Sequence, residues 1–484
     1  MVLRARNHDG RQETENAAQA GLDAGSETPS GPPAALQIER VESKTDCHFR
    51  NLYASNSNFK QLAKQDADFA AFLKDSGQLD FNDPAAVMQL TKALLKVDFG
   101  LRIELPDDRL CPPVPNRHNY ILWLKDLMDT TSYEQPGRKL CGLDIGTGAS
   151  CIYPLLGTAQ RPWNFIATDI DVKNLGYARK NVQLNALEDR IQVIERQSDD
   201  SLLPLDDADI QSIDFVMTNP PFYVSEDEML ASANEKERPP NSACTGAPVE
   251  MVCHGGEVTF VGRLLRESLV LRERVQWYTS MVGKASSLPP LITELRKNNI
   301  DNFAVTEFVQ GNKTRRWALG WSFSSMRPAQ HVAWGINPSL WKQLLPQPVK
   351  MDVLVVDAGK PVGGILNKIP EIMGPLELIS WVWEVDRAKG RGRARENVWS
   401  RAWRRKRLRE IADGETADDP MHTDSEECRI GFAIVVKMAI QNTTVSLLWL
   451  EGHDYGLFES LGGFVQGRLR DLNCGKAAVA KKSG

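Results

Sequence analysis

Leu143-Asp144-Ile145-Gly146-Thr147-Gly148-Ala149-Ser150 is an apolar run that breaks into two glycines. Lys139–Ile145 reads as a strand, and an Asp-x-Gly-x-Gly turn after a strand lets backbone approach a cofactor closely at the carboxyl end of a doubly wound sheet. The neighbouring sequence supplies more of such a sheet. A second apolar run, Asn164–Thr168, ends at Asp169; Val172–Leu187 has helical periodicity, and Ile191–Ile194 reads as another strand. Strands about twenty-five residues apart with helices between them form a βαβαβ pattern. In that pattern Asp169 stands where such folds bind ribose hydroxyls. A Gly-x-Gly turn by itself is more often structural or serves another nucleotide, so the weight falls on the order of the elements.

Further along, the run Ile213-Asp214-Phe215-Val216-Met217-Thr218 closes in Asn219-Pro220-Pro221-Phe222. Asn-Pro-Pro alone is usually a loop, because proline has no donor and disfavours helix in the residue before it. At the end of a strand the same residues gain a use. The Asn219 side-chain oxygen and the Pro220 carbonyl can face the two hydrogens of a planar amine, while the Phe222 ring lies on the face that bears it. Together the two turns imply methyl transfer from S-adenosylmethionine to an amine nitrogen. Core packing is the alternative use for Phe222.

The 484 residues leave room for two or three domains, and a 42% hydrophobic fraction suffices for sizeable cores. The net charge of −5 averages segments of opposite sign and says nothing about partners. No apolar run approaches membrane-spanning length, and the N-terminus lacks a signal-peptide core. The eight cysteines (47, 111, 141, 151, 244, 253, 428 and 474) show no Cys-x-x-Cys or Cys/His spacing. They read as reduced thiols of a cytosolic or nuclear enzyme, with neither structural metal nor disulfides expected.

Residues 1–45 are rich in Gly, Ala, Glu, Ser and Pro and are expected to be disordered. Helical periods run from Asn58 to Leu101, including Ala85–Val97, ahead of an extended Leu105–Pro115. The catalytic domain is expected over 46–325, a linker over 326–352, a second α+β domain over 353–472 and a flexible tail over 473–484. Tyr223–Gly256 is polar and long for a connection, so it is either disordered or a lid. Between Arg387 and Arg409 the net charge is +10, with Trp399 and Trp403 interleaved; the acidic stretch 410–427 follows. Such a run is a solvated face, a phosphate grip or an import signal at Arg404–Arg409. Gly431–Ile440 and Thr444–Leu450 read as strands across a Gln-Asn turn, and Gly456–Leu469 as a helix.

The string Asp144-Ile145-Gly146-Thr147-Gly148-Ala149-Ser150-Cys151-Ile152-Tyr153-Pro154-Leu155-Leu156-Gly157, with Asn219–Phe222, Asn119–Ile121, Asp98–Leu101, Thr306–Gly311 and Arg316–Leu319, closely resembles the methyltransferase-like protein 16 family, to which the bacterial ribosomal-RNA enzyme RlmF is related. The resemblance covers about residues 48–323. It implies an α/β, Rossmann-like class I S-adenosylmethionine-dependent methyltransferase with a smaller C-terminal α+β domain. It also implies an RNA adenine N(6)-methyltransferase acting on structured RNA, with U6 small nuclear RNA as the expected partner, in the nucleus or in nucleus and cytoplasm. By position, the resemblance assigns the cofactor to Arg117, Asp144, Gly146, Gly148, Ser150, Asp169, Ser201 and Asn219, where Asp169 replaces the family's commoner Glu. It assigns chemistry to Asn219, Pro220, Pro221 and Phe222. Arg50 and Asn51 match the start of the family's basic RNA contacts. Lys284, Arg315 and Arg316 could line an RNA groove, and Arg404, Arg405, Lys406 and Arg407 lie where the family carries an arginine-rich stretch before Trp449–Gly452 and Phe458–Phe464.

Three readings remain open from sequence: an RNA adenine methyltransferase, a protein glutamine methyltransferase using the same Asn-Pro-Pro-aromatic turn, and an RNA-binding regulator without turnover. With the appended RNA-binding domain, a monomer suffices.

Overall fold

The computed structural model describes residues 46–54, 58–228, 246–310, 314–357, 362–412 and 428–473. The expected N-terminal tail, residues 229–245 of the expected lid, Lys313, residues 413–427 of the acidic stretch and residues 474–484 lie outside the described residues.

Among the described residues the strands form two sheets. The first contains β1 (Cys141–Ile145), β2 (Asn164–Asp169), β3 (Ile191–Glu195), β4 (Ile213–Thr218), β5 (Val275–Val282), β6 (Phe303–Gln310), β7 (Thr314–Trp321) and β8 (Trp334–Gly335). Its order is β3-β2-β1-β4-β5-β7-β6-β8. The first five are mutually parallel, and β7 enters antiparallel between β5 and β6. Strands buried on both faces read as continuous apolar runs, as β1 and β4 do. One face packs Leu155 and Leu156 of helix Ile152–Gln160, Val182 of Val172–Leu184 and Leu124 of Val114–Thr130 against Phe165, Phe215 and Trp277. The other packs Leu264 of Gly256–Leu271 and Leu291 of Leu288–Lys297 against Leu143, Val216 and Tyr278. Chain order reverses at β1, between β2 and β4, so the carboxyl ends of these strands form the switch-point crevice where such sheets bind ligands.

Local chemistry sets the element ends. The Asp171 side chain accepts from Asn174 N at 2.8 Å to start Val172–Leu184. The helix expected over Ala85–Val97 begins at Pro84, capped by Asp83, and after Leu94 widens into a π-turn, Leu95–Phe99, closed by Gly100 at φ 70°. The extended segment expected up to Pro115 ends sooner, because Val114 and Pro115 already start helix Val114–Thr130, where a proline lacking its N–H costs nothing.

The second sheet has the order β10-β11-β12-β13-β9, from β9 (Lys350–Asp357), β10 (Ser380–Glu384), β11 (Lys389–Ala394), β12 (Ile430–Met438) and β13 (Asn442–Glu451). Helices Gly363–Met373 and Tyr455–Asn473 cover one face through Ile369, Phe458 and Leu461.

The stretch 326–352, expected as a linker, is folded onto the first sheet: β8 pairs with β6, and the Trp123 indole donates to Val332 O at 3.2 Å. The two sheets are also joined through the segment that follows β7. Arg327, 3% exposed, donates to Gly452 O at 2.7 Å, ion-pairs Asp301 at 3.0 Å and lies 4.1 Å from the Trp449 ring centroid. Glu451 takes hydrogen bonds from Tyr133 and Arg393. A buried cation needs this degree of partnering, so the join is a packed contact.

Candidate active site

The glycine turn is built by backbone geometry. Gly146 and Gly148 have φ of 72° and 65°, values that side chains with a Cβ rarely adopt. They let Gly146 N and Thr147 N both reach Thr168 O at 2.9 Å, tying the end of β1 to β2. Gly148 N donates to Asp169 Oδ2 at 2.8 Å, while Asp169 Oδ1 accepts from Asp171 N at 2.9 Å and Asn174 Nδ2 at 3.4 Å. From the other side, Thr218 Oγ1 donates to Ile145 O at 2.9 Å and fixes the end of β4 beside β1.

These ends surround a cavity of about 280 Å³, near the lower bound of small-molecule sites. Of the residues expected at the cofactor, Arg117, Gly146, Gly148, Ser150, Asp169, Ser201 and Asn219 line it. Asp144 lies behind the lining. Pro221 lines the cavity beside Asn219, whereas Pro220 and Phe222 stand outside it.

Orphaned polar groups mark what the cavity is built for. Asn219 Oδ1 is buried with no hydrogen-bond partner among the described residues. Both oxygens of Asp144 are buried too, and burial pushes this carboxyl up to about 7, against the Thr147 hydroxyl and Arg117, which lower it. Burial also raises Asp169, against the backbone hydrogen bonds from Asp171 and Gly148 that lower it. Arg117, 6% exposed, contacts Met281 Sδ at 3.6 Å and the Tyr153 ring, with no salt bridge among the described residues. A buried cation, two carboxylates near a glycine turn and an open amide oxygen match the carboxylate, ammonium and ribose of S-adenosylmethionine and an amine acceptor. The donor set therefore fits the cofactor.

Other cavity residues escaped the sequence reading. Glu250 Oε2 accepts from Leu110 N at 2.8 Å and Ala247 N at 3.0 Å, pinning the segment after residue 245 over the cavity. Tyr223 N donates to Met251 O and Cys253 N to Tyr223 O, so that segment is laced to the chain just past Phe222. Ser201 donates to Glu267 Oε2 at 2.7 Å, and Arg263 holds the carbonyls of Ser198 and Asp200.

The expected RNA contacts are spread over the surface. Arg50 is bound to Asp126 and Asp46, Lys284 to Glu228 at 3.0 Å and Arg315 to Glu307 at 2.9 Å; Asn51 Nδ2 reaches Cys47 Sγ at 3.5 Å. Exposed pairs of this kind are worth little and can exchange partners. Arg404, Arg405 and Lys406 are exposed on helix Arg401–Ala412, with Arg407 ion-paired to Glu377 at 3.1 Å. In the same basic segment, β11 puts Lys389, Arg391 and Arg393 on one face and Gly390 and Gly392 on the other; a Cβ at Gly390 would fall 2.3 Å from Trp381.

A family model described as RNA methyltransferase matches residues 41–325. The chain belongs to this family. It is 36% identical to the U6 small nuclear RNA (adenine-(43)-N(6))-methyltransferase of Schizosaccharomyces pombe over 397 residues, 82% of this chain and 96% of that protein. An alignment of that length must extend past residue 325 into the second sheet. Identity to the RNA N(6)-adenosine-methyltransferase METTL16 of Homo sapiens is 43%, over 57% of this chain and 50% of that protein. Among solved structures, the catalytic domain of hMettl16 in complex with MAT2A 3'UTR hairpin 6 superimposes with a TM-score of 0.51 at 43% identity, covering 57% of this chain and 96% of that one. The doubly wound sheet and the enzyme class expected from sequence are those of this RNA methyltransferase family.

Proposed function

We propose that the protein transfers the methyl group of S-adenosylmethionine to the 6-amino nitrogen of an adenine in structured RNA, with U6 small nuclear RNA as the substrate. The observation that carries this is the buried, unpartnered Asn219 Oδ1 at the end of β4, facing a cavity bounded by Gly146, Asp169 and Arg117. The likeness to the S. pombe U6 enzyme supports the choice of RNA.

The amino group of adenine is a poor nucleophile because its lone pair is delocalised into the ring. The bound cofactor supplies a methyl group already activated by a sulfonium. The chain must therefore supply position and polarisation. Asn219 Oδ1 and the Pro220 carbonyl accept the two amino hydrogens and favour a pyramidal nitrogen whose lone pair points at the methyl carbon. Phe222 stacks on an adenine rotated out of its helix or loop, worth about 1–3 kcal/mol. Arg117 and Asp169 hold the two ends of the cofactor, and no strong base is needed, since the nitrogen becomes acidic as it bonds. Residues 353–472, with the basic segment 387–409 and above all Arg404–Arg407, form an RNA-gripping domain packed against the catalytic domain 46–325. Action on U6 RNA calls for a nuclear enzyme, for which Arg404–Arg409 would serve also as an import signal.

The test is incubation of the full chain with methyl-labelled cofactor and either total RNA or total protein. Label is expected in RNA as N(6)-methyladenosine. Label confined to protein glutamine would establish the competing methyltransferase reading, and RNA binding without label a non-catalytic regulator.

A further inference from the structure

The Phe222 ring has neighbours on more than one side. A Cβ at Gly283 would fall 2.5 Å from Cδ1 and 2.8 Å from Cε1 of the ring, so only glycine allows the ring to rest there. Gly283 is itself fixed, its N–H donating at 2.6 Å to Oε2 of buried Glu257. Over the ring lies Arg316, its guanidinium carbon 5.6 Å from the centroid. Arg316 is the third residue of β7, paired in register with Phe308 of β6. It is half-buried, and its Nη1 donates to Arg315 O at 2.9 Å; among the described residues it makes no salt bridge. Burial and the positive charge of Arg117 both lower its pKa.

A half-buried guanidinium lying on an aromatic ring, close to another buried cation, is an arrangement a stability argument does not require. Arg117 is used by the cofactor cavity; Arg316 is not. We propose that Arg316 is the second wall of the adenine seat: the target base enters between the Phe222 ring and the Arg316 guanidinium and is stacked on both faces. This rests on the reading of Phe222 as the base-stacking residue. Two stacked layers at about 3.5–4.0 Å each need about 7–8 Å, against the 5.6 Å found. The guanidinium must therefore lift by about 2 Å, a change that a long side chain makes by rotamer adjustment. Gly283 prevents the ring from being the part that clashes, because it leaves Phe222 seated. A planar cation is what the role demands: a lysine ammonium lacks the plane and a glutamine amide the charge.

The experiment compares the full chain with its Arg316→Lys and Arg316→Gln variants on one RNA hairpin, measuring kcat, KM, cofactor affinity and the salt dependence of RNA binding. Loss of stacking is expected to lower kcat roughly tenfold in both variants, with cofactor affinity and the salt slope unchanged. If lysine restores full activity while glutamine lowers the salt slope by about 0.9, Arg316 is a phosphate contact and the proposal is overturned. A second measurement is independent of the variants' activity. With 2-aminopurine replacing the acceptor adenine, fluorescence should stay quenched in the parent complex and brighten in the lysine variant. Equal brightness in both overturns the sandwich. Failure of the parent chain to label RNA adenine would instead refute the proposed function itself, whatever Arg316 does.

Discussion

Replacing Asn219 with alanine removes a buried oxygen that has no hydrogen-bond partner among the described residues, so its effects on activity and on stability should differ in sign. On activity, the oxygen is an acceptor aimed at charge that develops only during transfer, and deleting such a group costs about 10²–10³ in rate, about 2.7–4 kcal/mol. On stability, a buried polar atom left unsatisfied costs about 1–3 kcal/mol, and the alanine removes that penalty while giving up only a small side chain. A net gain of about 1 kcal/mol corresponds to roughly 2–4 °C in a domain of 150–250 residues. Melting temperature should therefore stay level or rise while single-turnover methyl transfer falls at least a hundredfold. RNA affinity, measured in a parallel sample, should change little. Retention of more than about a tenth of the activity, or a melting temperature several degrees lower, would refute the reasoning, because the oxygen would then be satisfied within the folded protein.

Asp144, buried beside the cavity and not in its lining, should make stability pH-dependent. Its folded value of about 7 lies above the ordinary 3.8, so between about pH 4 and 7 the folded chain keeps a proton the unfolded chain has lost. Stability therefore falls as pH rises through that window and is level above it. Asp144→Asn should flatten that fall, as thermal melts of both chains across the range would show; parallel profiles would contradict it. Asp169→Asn keeps an acceptor for Gly148 N yet removes the charge, and should weaken cofactor binding by roughly 1.5–3 kcal/mol with RNA affinity unchanged, as titration of each ligand would show. Changing Arg404, Arg405, Lys406 and Arg407 together to Gln should make the salt dependence of hairpin binding visibly shallower at constant cofactor affinity; an unaltered slope would reduce the segment to a solvated face or an import signal.

The cavity was legible where chemistry is local. Positive φ at 146 and 148 favours glycine, an acid at the end of β2 fits the strand order, and two prolines after Asn219 stop the strand. What was not legible is brought together only by folding. Glu250 sits in a stretch whose polarity suggests a loop, and its role appears only where it meets Leu110 N, 140 residues away. The proline-spaced stretch 326–352 has the local chemistry of a linker; that it carries Arg327, buried against Gly452 and Trp449, appears only once the chain is folded. The basic segment had a period of two from 387 to 395, the signature of a strand face, but the charge concealed it because glycines fill the alternate positions to admit Trp381 and Phe432. One practical result is that a truncation at Arg327 would strip β8 and the Val332 contact from the catalytic sheet, so point substitutions separate grip from catalysis more cleanly.

The most direct test of adenine N(6)-methylation uses a hairpin RNA with one acceptor adenosine, methyl-labelled cofactor and the full chain, followed by nucleoside mass analysis. The parent hairpin should yield N(6)-methyladenosine, and replacing the acceptor with purine riboside, which lacks the 6-amino group, should abolish labelling. Undiminished label in the purine hairpin, or label on a ring nitrogen, would contradict the role given to Asn219 and the Asn-Pro-Pro turn.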